Sequence, residues 1–159
     1  MRIGFGYDSH IFESGKPLVL GGVIIPECDG LKAHSDGDVV IHAVIDSLLG
    51  AAALGDIGSH FPSADPRWEN ANSAVLLCSV MKEIADAGYS VGNVDATVIC
   101  ESPRIGPHAD AIRARLAAYL DVDETSVSVK GKSNEGMDAV GEGLGIAVHA
   151  VALLVPLES

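Results

Sequence analysis

The stretch HSDGDVVIHAVIDSLLGAAAL, residues 34–54, decides how the rest of the chain is read. Its acidic opening offers helix N-caps, and Val40, Ala43, Val44, Ser47, Leu48 and Ala51 then recur at helical spacing, which predicts a helix from about Val39 to Leu54. Toward the N-terminus, residues 2–8 and 17–25 read as strands, with the turn chemistry of Glu13-Ser14-Gly15-Lys16 between them, so a hairpin is expected there. Toward the C-terminus come a second amphipathic helix over 72–87 ending at Gly88, an alternating strand over 92–100, a helix over 107–120 opened by Pro107, a strand over 126–130, and a run over 144–155 that is apolar on both faces, as a central strand is. Helices and strands interleave without a linker or repeat, which predicts one α/β (α+β-like) domain spanning residues 1–159. Residues 55–70 form an unusually long connection rich in Gly, Pro, Ser and Asp, with the lone Trp68, and such loops are often functional.

Composition narrows the function classes. A formal charge of -12 opposes a nucleic-acid backbone or an anionic membrane surface as partner, though a bound cation can still prepare a local site for a small anion. The N-terminus enters a strand pattern directly, without a signal-peptide pattern, and no apolar run approaches the roughly 20 residues of a membrane span, so a cytoplasmic protein is expected. Cys28, Cys78 and Cys100 lack metal-knuckle spacing and read as reduced thiols. No phosphate-binding, dinucleotide or nucleophile-elbow motif stands in strand-turn-helix context; Gly4-Phe5-Gly6 lies within a strand, where glycine permits close backbone approach.

Asp8 and His10 are two apart in the first strand and therefore share a face. That spelling is near chance by itself. His42, early in the long helix with Asp38 and Asp46 at i-4 and i+4, supplies a third ligand, and either carboxylate can hold the second ring N–H of the histidine. An O,N,N set suits Zn²⁺ and leaves a fourth position open for a ligand. Three loops have the look of phosphate or hydroxyl handlers: His34-Ser35 before the helix, Asp56-Ile57-Gly58 at the start of the long loop, and Lys130 to Gly136, whose lysines, Ser133 and Glu135 suit phosphate oxygens and a second, hard cation such as Mg²⁺.

Taken together, RIGFGYDSH at 2–10, LKAHSDGDVVIHAVIDSLLGAAALGDIGSHFP at 31–62, GNVDATVICESPRIGPH at 92–108 and VKGKSNEGMDAVGEGLGIAVHAVALL at 129–154 resemble the 2-C-methyl-D-erythritol 2,4-cyclodiphosphate synthases of the non-mevalonate isoprenoid pathway. The resemblance implies a mixed sheet with helices on one face, a homotrimer with its sheets around the threefold axis, and active sites between neighbouring subunits. It implies cyclisation of 4-diphosphocytidyl-2-C-methyl-D-erythritol 2-phosphate with loss of CMP. Zn²⁺ would sit on Asp8, His10 and His42, and Mg²⁺ or Mn²⁺ would be held through Glu135 and the substrate phosphates. His34 and Ser133 become the candidate catalytic groups; Asp8, Ser9, His10, Ser35, Lys132, Asn134 and Glu135 would line the phosphates. Asp56, Ile57, Gly58 and the Phe61-Pro62-Ser63-Ala64-Asp65 segment would receive the methylerythritol. Cys100, Glu101, Ser102, Pro103, Arg104, Ile105 and Gly106 would form the cytosine pocket, while Ala139 and Glu142 would complete the lining.

Several positions depart from the family's pattern. Ser63-Ala64-Asp65 stands where relatives commonly carry Asp-Thr-Asp, and Lys132-Ser133-Asn134 stands where many carry a Thr pair before the Glu. Glu142 occupies a position at which many relatives have Arg near the trimer axis, so three acidic copies there disfavour an isoprenoid diphosphate by like-charge repulsion. Two other uses of the same residues stay open at this point. A zinc hydrolase would need a general base from Asp38, Asp46 or Asp56, and a non-catalytic binder would hold isoprenoid intermediates without turnover.

Overall fold

Glycines at two alternate positions of the first strand let a helix lie directly on it. A Cβ at Gly4 would stand 1.9 Å from the Ser47 carbonyl oxygen, and one at Gly6 would stand 1.9 Å from that of Ala43. This contact joins strand β1 (Arg2–Leu20) to helix α1 (Val39–Ala52) in a computed structural model that describes residues 1–157. Between them runs β2 (Val23–Leu31); after them come α2 (Ile57–His60), α3 (Ser73–Asp86), β3 (Tyr89–Ile99), α4 (Ala109–Leu120), β4 (Val127–Lys132), α5 (Asp138–Gly141) and β5 (Gly145–Pro156).

The five strands form one mixed sheet in the order β2-β1-β5-β3-β4, antiparallel except for β3 and β4. As expected, β5 takes a central place in the sheet, but only one of its two apolar faces is fully buried: His149, Leu153 and Val155 are half-buried and Val151 is exposed on the other. The expected hairpin is displaced. Glu13 to Lys16 lies inside one continuous 19-residue strand, as an irregularity in the pairing between Glu13 and Pro17. The chain turns instead at Gly21-Gly22, both at positive φ, and a Cβ on Gly21 would meet the Ile112 side chain of α4 at 2.4 Å. Pairing with β5 along residues 2–11 and with β2 at Glu13 and again from Pro17 carries β1 past its own turn-prone residues, which bulge out with Gly15 at positive φ.

Asp38 caps α1, accepting from Ile41 N, and Ala53 ends the helix in the left-handed region. The predicted apolar stripe is buried, but so are Val39, Ile41, Ile45 and Leu49 on the other side, because α1 is sandwiched between the sheet and α3. The opposite side of β1 has no such cover: Ile3, Phe5, Tyr7 and Ile11 are exposed, as is Val151 of β5. Among the described residues no helix is long and apolar enough to cross a membrane.

Candidate metal centre and flanking cavities

On the helix side of β1 the alternation that buries Gly4 and Gly6 continues into Asp8 and His10, and close α1 packing brings His42 to them. Asp8 Oδ2 lies 2.9 Å from His10 Nε2 and 2.9 Å from His42 Nδ1; the two ring nitrogens are 3.3 Å apart. Donors at about 2.0–2.1 Å from a tetrahedral metal stand about 3.3 Å from one another, so this triangle needs little adjustment to hold an ion. A carboxylate oxygen and two imidazole nitrogens this close repel through their lone pairs unless a proton or cation lies among them. The donor set therefore fits a metal.

Electrostatics agree with that description. Burial works against the Asp8 charge, but hydrogen bonds and positive charge from His10 and His42 outweigh it and hold the carboxyl down at about 2. Burial opposes protonation of His42, yet its hydrogen bond to Asp8 and the charges of Asp8, Asp38 and Asp36 draw its pKa upward. Ser9 points to the other face of β1, and only its backbone N–H takes part, donating to Asp8 Oδ1 at 2.9 Å.

The far edge of His42 departs from expectation. Neither Asp38 nor Asp46 holds its ring. Asp38, as N-cap, sits outside the helical periodicity; fully buried, it accepts from Gly21 N at 2.8 Å, Gly22 N at 2.7 Å and Ile41 N at 3.1 Å. Asp46 accepts from Ile57 N at 2.8 Å, and burial raises its pKa. His42 Nε2 instead meets Ser73 Oγ at 2.9 Å and Ser35 Oγ at 3.1 Å, and Ser73 Oγ donates to Asp36. Ser73, at the first turn of α3, is a residue that sequence reasoning missed; its only local signal is a serine ahead of an apolar helix, which reads as a cap.

A cavity of about 290 Å³ opens over the triangle, lined also by His34, Ser35, Ile57, Gly58, Phe61 and Ser63, with Trp68 as a further residue not singled out for the site. Asp56 is turned away as the cap of α2, accepting from Ser59 N and Oγ, which lowers its pKa. Pro62, Ala64 and Asp65 do not line this cavity; Asp65 caps the following turn and pairs with Arg67, which holds its carboxyl low.

A second cavity, of about 610 Å³, gathers Cys100, Glu101, Pro103 to Gly106, Lys132 and Ser133. Ser102 lies just outside, beside Cys28 in a smaller hollow. Cys100 Sγ donates to Pro103 O, and burial pushes its thiol up to about 11, so it is a structural thiol. Glu101 accepts from Asn134 N at 2.7 Å, and Ser133 Oγ donates to Glu135 Oε1 at 2.7 Å. Ala139, within α5, and Glu142, just after it, are exposed. The two cavities share no lining residue in this chain.

A family model described as the YgbB family matches residues 1–155. The chain belongs to the YgbB family. A relative from Alcanivorax borkumensis, named 2-C-methyl-D-erythritol 2,4-cyclodiphosphate synthase, is 53% identical over 97% of this chain and 96% of its own length. A 2C-methyl-D-erythritol-2,4-cyclodiphosphate synthase solved in a CDP-bound form superposes with a TM-score of 0.89 at 37% identity, covering 97% of this chain and all of the other. The bifunctional IspDF of Campylobacter jejuni matches with a TM-score of 0.95 at 38% identity over 99% of this chain, which spans 42% of that longer protein.

Proposed function

We propose that this chain is a 2-C-methyl-D-erythritol 2,4-cyclodiphosphate synthase, a lyase of isoprenoid precursor synthesis. It closes 4-diphosphocytidyl-2-C-methyl-D-erythritol 2-phosphate to the cyclic diphosphate. An oxygen of the 2-phosphate forms a bond to the β-phosphorus, and the bond from that phosphorus to the oxygen shared with the α-phosphorus breaks, so the oxygen leaves on CMP. The reading is carried by the Asp8-His10-His42 triangle opening onto a cavity lined by His34, Ser35, Ile57 and Gly58, in a chain 53% identical to an enzyme of that name.

An anionic phosphate attacking another phosphate needs positioning and charge compensation more than a strong base. Asp8, His10 and His42 would hold Zn²⁺, and Glu135 with the substrate phosphates Mg²⁺ or Mn²⁺; bound there, the cations supply Lewis acidity at the β-phosphate and neutralise the leaving CMP. His34 and Ser35 bind the reacting phosphates, with Asp8 and His10 beneath them. Ile57 and Gly58, with Phe61 and Ser63 beside them, seat the methylerythritol. Cytosine occupies the second cavity, where Cys100 to Gly106 read it largely through backbone groups. Lys132, Ser133, Asn134 and Glu135 reach the phosphates from a neighbouring subunit, with Ala139 and Glu142 at the margin.

The assembly is a homotrimer. Its support, among the described residues, is the exposed apolar face of β1, which no helix covers, and the presence of two cavities with no common lining. Glu142 disfavours an isoprenoid diphosphate at the axis, and calorimetry with geranyl diphosphate should show no micromolar binding. A highly charged, water-soluble substrate is consistent with work in the cytoplasm. A hydrolase reading is left without a general base beside the triangle, because none of Asp38, Asp46 and Asp56 is among the described residues that line the cavity over it. Incubation of the purified protein with the cytidylyl substrate, Mg²⁺ and Zn²⁺ tests the assignment: ³¹P spectra should show the cyclic diphosphate and CMP, and absence of both refutes it.

A further inference from the structure

We propose that Ser73 and Asp36 are positioning residues for the metal centre, fixing His42 in the tautomer that carries its hydrogen on Nε2 and leaves the Nδ1 lone pair toward Asp8 and His10. The inference rests on the reading of that triangle as a metal site. Its argument is one of hydrogen-bond direction. Asp36, as a carboxylate, can only accept. Ser73 has one hydroxyl hydrogen, and its Oγ lies in close contact with Asp36 Oδ1, so that hydrogen is committed to the carboxylate. Ser73 Oγ is then obliged to accept from His42 Nε2 at 2.9 Å, which requires the ring hydrogen at that nitrogen. In the metal-free protein the hydrogen among the three donors is then that of His10 Nε2, 2.9 Å from Asp8 Oδ2 and 3.3 Å from His42 Nδ1.

Ser35 cannot impose the same choice. Its Oγ lies 3.1 Å from His42 Nε2 and accepts weakly from Gly37 N at 3.3 Å, but no acceptor among the described residues fixes its own hydrogen, so it tolerates either tautomer. The Ser73 contact is the buried one, with Ser73 fully enclosed. Asp36 is itself pinned: its Oδ2 accepts from Ser73 N at 2.9 Å, its Oδ1 from Asp38 N at 3.2 Å, and its own N donates to Ala71 O at 3.1 Å. The relay thus ties the loop before α1 to the start of α3, across 37 positions of sequence. A consequence follows for the cavity. With Ser73 holding the ring, Ser35 is free to turn its hydroxyl to an anionic ligand without releasing His42.

The test uses the full chain freed of metal and then titrated with Zn²⁺ or Co²⁺. Long-range ¹H–¹⁵N correlation of the metal-free protein, at a pH where the ring is neutral, should give the Nε2–H pattern for His42, and Ser73→Ala should lose that single pattern. Competition with a chromophoric chelator should then show Zn²⁺ affinity reduced by about 10-fold to 100-fold in Ser73→Ala, the range typical for partners of metal ligands, with Ser73→Thr restoring most of it. A purely structural serine would lower the unfolding midpoint of Ser73→Ala while leaving tautomer and affinity unchanged; that result overturns the proposal. So does an Nδ1–H pattern in the parent protein, a measurement that needs no variant to fold. Failure of the parent to bind Zn²⁺ or Co²⁺ at all overturns the metal reading itself, and the two failures are distinct because the tautomer is read without metal.

Discussion

Replacing Gly6 by alanine should separate the two elements that make the metal centre. The added Cβ would meet the Ala43 carbonyl oxygen at 1.9 Å and Ser47 N at 2.6 Å, both of them helix backbone. Reaching even a tight 3.0 Å contact requires the helix to retreat by about 1.1 Å along that line, since a backbone carbonyl cannot swing aside as a side-chain tip can. Ala43 follows His42 directly, and Gly6 lies two residues before Asp8 on the same face of β1. The 2.9 Å approach of His42 Nδ1 to Asp8 Oδ2 would therefore lengthen toward about 4 Å, well beyond the roughly 3.3 Å edge of a tetrahedral site. Overpacking by one methyl costs about 1–3 kcal/mol, against which relief of glycine's chain entropy returns less than about 1 kcal/mol. Urea unfolding of the metal-free protein should show that net loss, and chelator competition should show Zn²⁺ affinity weaker by about 10-fold or more. Gly50→Ala is the control: its Cβ would meet only Phe5 O, at 3.8 Å, so the same helix should gain stability with metal affinity unchanged. A Gly6→Ala protein that is destabilised yet binds Zn²⁺ within about threefold of the parent would refute the idea that helix-to-strand distance sets the ligand triangle.

Asp38→Asn should lower the urea-derived stability by about 3 kcal/mol, because one amide oxygen cannot serve three buried N–H groups and the amide nitrogen would face one of them. On acidification, the Asp8 contribution is fully present above the ordinary value of 3.8 and is lost as pH falls from there to about 2; this amounts to about 2 kcal/mol, and metal-free Asp8→Asn should show a flatter pH profile in that window. Mixed refolding of His42→Ala with Ser133→Ala, each inactive alone, should restore about a quarter of the parental activity, the share of sites pairing an intact His42 with an intact Ser133 from a neighbour in random trimers. No recovery in verified mixed trimers would place both residues in one subunit's site.

Period-two alternation put Asp8 and His10 on one face of β1, and helical spacing put His42 in the buried helix; both patterns are set by local geometry, and the structure keeps them. What escaped the sequence depends on pairing across long separations. Glu13-Ser14-Gly15-Lys16 has better turn residues than the apolar run around Gly21-Gly22, but pairing of Glu13 and Pro17 with adjacent residues of β2 confines the former to a bulge, with Gly15 at positive φ, and the chain reverses at the latter, against α4. Asp38 looked like a partner for His42 because i-4 spacing was carried one residue beyond the helix; as a cap it follows the loop's geometry and turns to the hairpin glycines. Ser73 is 31 positions from His42, a separation at which no local pattern signals contact.

The acidic charge of the chain becomes compatible with an anionic substrate once the location of each carboxylate is considered. Asp36, Asp38, Asp46 and Asp56 all accept from backbone N–H groups, so their charge serves loop ends and helix caps. The polar groups lining the two cavities are mostly different: His34 and Ser35 beside the metal triangle, and Arg104, Lys132 and Ser133 in the second hollow, whose one lining carboxylate, Glu101, accepts from Asn134 N. Asp8 is the carboxylate committed to the triangle, and its charge is the one a divalent cation would reverse. Net charge averages over these separate uses and describes none of them. A substrate with a phosphate cluster at one end and a nucleobase at the other would need both cavities, which have no lining residue in common among the described residues, and in the proposed trimer the bare face of β1 would be what brings them together.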